Sequence, residues 1–226
     1  MTTMVHHAEV VRIDKATAEK IIVAKHYSHR GSIFWEAYGL VIHGYIAGVV
    51  VYGQPSPIQR CAFKDRDFKL YELGRLVIQT KMPNAASILV GRSLKMLDNY
   101  SAVVSYADTE FGHAGIVYQA TNWIYTGATK SHDHVYMVDG KRVHPMTLRD
   151  RGITNPKMWA KQNGIQTVAP SPKHRYFYLN GSRKQKKVML SRLAYPIIDE
   201  YPKLDKSMYD SGPDVIIKLP VEKLNG

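Results

Sequence analysis

Apolar positions first recur at helical spacing over residues 14–26, where Ala18, Ile21 and Ile22 share one face. Asp14 can cap the start, and Gly31 ends the pattern. Alternation then predicts two strands, residues 37–42 and 45–52, joined by a two-residue hairpin at His43-Gly44. Gln54-Pro55-Ser56-Pro57 stops the pair, because proline cannot donate to a ladder. Residues 58–68 read as a surface loop. A third strand over residues 70–79 runs into a turn of small residues, 81–87. A helix over residues 87–100 comes after it, with Ile88, Leu89, Leu94 and Leu97 as its apolar positions. The short, almost wholly apolar run 102–106 suits a strand buried on both faces. A helix over 114–121 and a strand over 123–125 come next. Residues 128–170 yield a turn at 137–140 and a helix over 156–163. A last strand spans 174–179, and the chain from Asn180 reads as an extended tail. This alternation predicts an α+β fold, an α/β sandwich. Residues 1–180 form the catalytic unit in this reading, and residues 181–226 a basic, then Pro- and Tyr-containing extension packed on it or trailing from it.

Composition narrows the class. The chain has 226 residues, 45% of them hydrophobic, enough for a substantial core without covalent staples. One cysteine, Cys61, excludes an intrachain disulfide framework and argues against a cysteine-based zinc site. No apolar run reaches the length of a membrane span, and residues 1–10 lack a basic-then-apolar leader pattern. The expectation is a soluble cytoplasmic protein with no membrane partner. Lys and Arg number 31 against 19 Asp and Glu, a formal charge of +12. That excess suits a polyanion partner, and 15 tyrosines with three tryptophans offer faces for unstacked bases. Solubility alone is the plainer account of the charge.

Several constellations can carry chemistry. Asn84, Ala85, Ala86 and Ser87 open a helix after a strand, where free N–H groups and the helix dipole favour an anion, with Arg92 and Lys95 near by. Any strand-to-helix turn has this form, and no Gly-x-Gly pattern marks it. Glu72 and Arg75 interrupt an apolar strand; three residues apart, they are expected on opposite faces. Asp108 lies at the carboxyl end of a strand, where open sheets bind ligands, and is a candidate general base. It can equally cap the next helix. Tyr118 can donate to a leaving group or stack a base; core packing is the commoner fate. His26, Tyr27 and His29 at a helix end, and His132-Asp133-His134, are candidate metal ligands, or simply solvated. Arg183, Lys184, Lys186 and Lys187 can track a phosphate backbone or form a solvated charge run.

The order of elements resembles the GNAT-type acetyltransferase fold, with a mixed, mostly antiparallel central sheet flanked by helices. More specifically, His26-Tyr27-Ser28, the strand ELGRLVI, Ser105-Tyr106-Ala107-Asp108 and the block GHAGIVYQATNWIYTG resemble the phage Mom proteins. The similarity covers residues 14–180. It implies an enzyme that converts adenine in DNA to N6-carbamoylmethyladenine and shields the DNA from host restriction. It places Arg75, Ser93, Asp108 and Tyr118 around the reaction centre, and His26, Tyr27 and Tyr52 at an iron site. Iron and a coenzyme A derivative are the implied cofactors. Two departures stand out: the turn lacks the glycine-rich acetyltransferase pattern, which argues against coenzyme A binding, and the family's product carries a methylene on N6, which simple acyl transfer cannot give. The expected partners are double-stranded DNA with a flipped adenine, whose edge Asn122 or backbone amides can read, and a second copy of the chain. The competing readings are a conventional coenzyme A-dependent N-acetyltransferase and a non-enzymatic DNA-binding protein.

Overall fold

Seven strands form one sheet in a computed structural model that describes residues 8–26, 31, 33–129 and 134–203. In chain order the elements begin with β1 (Glu9–Arg12), α1 (Lys15–Lys25), β2 (Glu36–Ile42), β3 (Tyr45–Gly53) and α2 (Pro57–Arg60). Then come β4 (Lys69–Ile78), α3 (Ala85–Ser93), β5 (Ser101–Asp108), α4 (Ile116–Ala120) and β6 (Ile124–Ala128). An inserted unit holds β7 (Val135–Val138), β8 (Lys141–Val143), α5 (Pro145–Asp150), α6 (Pro156–Gln162) and β9 (Thr167–Val168). The chain returns through β10 (Lys173–Asn180) and α7 (Arg183–Arg192). The main sheet runs β1-β2-β3-β4-β5-β10-β6, antiparallel throughout except for β4 against β5. This is the mixed, mostly antiparallel sheet expected. No helix among the described residues is long and apolar enough to cross a membrane.

Each helix has a local cause. The Asp14 carboxylate accepts the Thr17 amide at 2.8 Å and starts α1, whose Ala18, Ile21 and Ile22 are fully buried. Burying one such isoleucine contributes about 1.5–3 kcal/mol. α7 starts with a capping box: Ser182 accepts from Gln185 N, and the Gln185 side chain accepts from Ser182 N. α3 and α4 cover one face of the sheet; α1, α7 and the segment around Phe63 and Phe68 cover the other.

Several expectations change. Residues 58–68 are not a surface loop: α2 opens them, and Phe63 and Phe68 are buried against Phe177 and Met189. The helix expected over 87–100 ends at Ser93 and tightens into a 3-10 turn, Leu94–Met96. Residues 181–203 are not an extended tail. They form α7, then pair Leu193 with Phe63, and Tyr201 donates to the Trp123 carbonyl at 2.7 Å. β1, the three strands of the insertion and α5 carry too few residues for their periodicity to show in sequence.

Two irregularities shape the centre. β4 and β5 pair only over Lys69–Glu72 and Ser101–Val104, then diverge, leaving a fork in the sheet. β3 pairs Val51 with Arg75 but Tyr52 with Leu73, so Gly74 is an extra residue in β4, a bulge. Tyr71 and Leu73 before it, and Leu76 and Ile78 after it, all join the same apolar cluster. The bulge therefore moves the side-chain phase by one. Glu72 and Arg75 lie on the same face, not on opposite faces as regular alternation predicts.

Candidate functional site

On the α3–α4 face the fork is closed by side chains. The Ser105 hydroxyl is 3.0 Å from the Leu73 carbonyl and 2.8 Å from the Tyr118 hydroxyl. Serine has one proton, and a carbonyl can only accept. The Ser105 hydroxyl therefore has two acceptors in reach and donates to one of them at a time. Tyr118 also packs on Trp123 and Tyr176, with ring centroids 4.9 and 5.2 Å away. Its backbone is set by α4, which starts at Gly115 with φ of +74°. A Cβ there would lie 2.5 Å from the Tyr176 ring, so only glycine fits. On the same face the Tyr52 and Ser93 hydroxyls are 2.7 Å apart, and both side chains are fully buried. Burial holds the Tyr52 phenol well above its usual pKa, and the Ser93 contact offsets only part of that.

On the opposite face, alternation along β5 sets Asp108 in phase with Ala102, Val104 and Tyr106. Its Oδ2 is 2.7 Å from Lys173 Nζ, its register partner on β10. Its Oδ1 accepts the Glu110 amide at 3.1 Å. Asp108 is thus the cap of the 3-10 turn Thr109–Phe111, and it also carries an ion pair. Glu72 Oε2 accepts the Ser56 amide at 3.0 Å. Burial raises its carboxyl above the ordinary range; that amide, Arg75 and Lys173 pull the other way. Arg75 Nη1 donates to the Gly74 carbonyl at 2.7 Å, while its Nε is buried with no partner among the described residues. A buried, unused guanidinium N–H is a donor suited to an anion. Tyr106 sits in the field of both Glu72 and Arg175, and Arg175 stacks on Tyr195 at 3.4 Å.

The four residues placed at the reaction centre therefore divide. Ser93 and Tyr118 lie on one face, Arg75 and Asp108 on the other, and the fork joins the faces. Sequence reasoning left out Lys173 and Ser105. Lys173 meets Asp108 only through the β10–β5 register, 65 positions apart in the chain. Ser105 lay inside a motif already singled out, and its alternation with Tyr106 was the available signal.

In the turn Asn84–Ser87, Asn84 is left-handed and no side chain caps α3, while the Ala85 amide donates to the Met82 carbonyl at 3.3 Å. The Ser87 hydroxyl itself bonds the Asn84 carbonyl at 3.0 Å. The iron set does not assemble from what is described. His26 ends α1 on one face, whereas Tyr52 points to the other and is engaged with Ser93. Tyr27, His29, His132 and Asp133 lie outside the described residues, among which no cluster of three His, Cys, Asp or Glu side chains occurs. Asn122 comes after α4 in a left-handed conformation. The basic run Arg183–Lys187 forms the first half of α7, beside the Asn180 end of β10. Asp108 and Lys173 are at the other end, about 23 Å away at strand rise.

Known proteins similar to the chain are of two kinds. GNAT-type folds overlap it loosely. An N-acetyltransferase from Staphylococcus aureus Mu50 gives a TM-score of 0.44 at 11% identity, covering 76% of this chain and 97% of that one. A GNAT family acetyltransferase from Elizabethkingia anophelis with acetyl-CoA bound gives 0.42 at 12% identity, covering 76% and 98%. In sequence, the methylcarbamoylase mom of Escherichia phage Mu is 30% identical over 140 residues, covering 58% of this chain and 57% of that protein. The chain thus spans a little over half the length of this curated relative. The model of the Mom protein family matches residues 7–197, which take in both faces of the fork, the inserted unit and α7. The chain belongs to the Mom protein family.

Proposed function

We propose that this protein modifies adenine in DNA at N6, adding a carbamoylmethyl group, and so protects that DNA from restriction. The observation that carries the reading is the fork. It opens the sheet between a hydroxyl pair, Ser105–Tyr118, and a charged cluster of Glu72, Arg75, Asp108 and Lys173. The adenine amine is a poor nucleophile, because its lone pair is delocalised into the ring. A carboxylate beside it orients the amine and takes the proton it loses. Asp108, with Lys173 offsetting its charge, and Glu72 are the carboxylates at the fork. Arg75 offers its unused N–H to an anionic part of substrate or donor. The uncapped start of α3 at residues 84–87 suits the phosphates of a coenzyme A-type donor. Because N6 is paired in a duplex, the base must leave the stack at a cost of a few kcal/mol. A +12 protein recovers such a cost from phosphate contacts. The relative's name, methylcarbamoylase, agrees with the proposed group.

The test is nucleoside mass spectrometry on DNA from cells expressing the protein. The expected result is a deoxyadenosine heavier by one carbamoylmethyl group. Only ordinary nucleosides, from cells that hold the folded protein, would overturn the reading.

A further inference from the structure

The inserted unit between β6 and β10 is not used by the site described above. It has its own small sheet, β8-β7-β9, and its own core of Tyr136, Val143, Leu148 and Ala160. It carries a cavity of about 540 Å³ lined by His134, Tyr136, His144, Arg149, Asn155 and Lys157, among others. Among the described residues no acidic side chain lines it. Arg149 and Lys157 are exposed, and among the described residues neither is ion-paired. From residue 134 to residue 172 the unit has six Lys and Arg against two Asp.

Its position connects this cavity to the fork. The chain leaves the sheet after Ala128 and re-enters at Lys173, the partner of Asp108. Arg142 Nε lies 3.5 Å from Glu110 Oε1, two residues beyond Asp108, and Arg142 Nη2 donates to the Ala169 carbonyl at 2.7 Å. The unit is thus tied to the strand end that presents Asp108. The basic run of α7 lies at the opposite end of the sheet.

We propose that this cavity binds a phosphodiester of the DNA strand flanking the modified adenine, with Arg149 and Lys157 as its cationic ligands. The inference rests on the DNA-modification reading. A base drawn into the fork leaves its neighbouring phosphates outside the carboxyl end of β5. The cavity is the basic surface anchored there. Arginine and lysine supply charge-assisted donors, and among the described lining residues no carboxylate repels the anion.

The test is binding of the full-length protein to a labelled DNA duplex, measured by anisotropy between about 50 and 200 mM salt. Arg149→Ala with Lys157→Ala is compared with Lys184→Ala with Lys187→Ala, which removes the same charge from α7. Each phosphate contact contributes about 0.9 to the slope of log affinity against log salt. The first pair is expected to flatten the slope by about 0.9, the share of one phosphate, and the second by clearly less. Glutamine replacements at 149 and 157 keep the side-chain stems if alanine disturbs packing, and they should flatten the slope alike. An unchanged slope in the cavity variants, or an equal or larger loss in the α7 variant, overturns the inference alone. A wild-type protein that binds no DNA at any salt overturns the underlying reading and the inference with it.

Discussion

Ser105 is a serine in an apolar strand, and the cost of its removal can be worked from its two contacts. Ser105→Ala removes the serine hydroxyl's contacts with the Leu73 carbonyl and the Tyr118 hydroxyl. Each lost hydrogen bond costs about 0.5–1.5 kcal/mol, so the variant should lose about 1–3 kcal/mol. Tyr118→Phe removes only one hydroxyl, because Ser105 keeps its bond to Leu73; about 0.5–1.5 kcal/mol is expected. In the double variant the Ser105–Tyr118 contact is lost once, not twice. Its cost should fall short of the sum by about 0.5–1.5 kcal/mol, in the range of coupled neighbours. Urea denaturation of wild type, both single variants and the double variant, with a common m-value, closes the cycle. Additivity within about 0.3 kcal/mol would refute the hydrogen-bond chain across the fork.

Gly115→Ala forces a left-handed alanine, about 1–2 kcal/mol, and drives its Cβ into the Tyr176 ring. That ring is tethered by the Tyr176 hydroxyl donating to the Ala114 carbonyl at 2.6 Å, so it cannot swing away. With overpacking of about 1–3 kcal/mol added, the melting temperature should fall by about 5–15 °C; a drop under about 2 °C would refute it. Glu72 has a folded pKa raised by burial, so the native state holds its proton to higher pH than the unfolded chain does. Stability from this group is therefore lost as pH rises from the usual carboxylate value through the folded pKa. Relative to wild type, Glu72→Gln should be more stable at neutral pH than at pH about 4; a pH-independent difference would sink that account. Asp108→Asn keeps an oxygen for the Glu110 amide but loses the charge facing Lys173, and Arg75→Ala removes the buried donor. Both should abolish adenine modification with a near-normal unfolding midpoint, and modification retained in both would refute the site.

Much of the fold was legible where one periodicity ran long enough. The hairpin β2–β3, the strand β4 and the apolar face of α1 declared themselves, because each buries a regular set of positions. α7 did not, because its first five residues include four cations and its burial rests chiefly on Met189. At the site, Asp108 and Tyr118 stood out as polar residues at the ends of apolar segments. Lys173 could not stand out: it was an ordinary basic residue until β10 was set against β5. Arg75 was placed on the wrong face relative to Glu72 because one inserted glycine reverses alternation, and nothing in ELGRLVI says that Gly74 is the extra residue.

That extra residue also bears on why the sheet stays open. A parallel ladder needs both strands to present hydrogen-bonding groups in the same rhythm. β4 and β5 keep time for four rungs, and then Gly74 puts β4 a half-step out while β5 continues unbroken. Drawing the two edges together beyond Glu72 would set backbone groups out of step, so closure gains little. The Leu73 carbonyl, the next acceptor in line, is already taken by Ser105. The opening is thus a mismatch written into the backbone. It does not depend on a bound molecule wedging the strands apart, and the cleft is shaped before anything enters it.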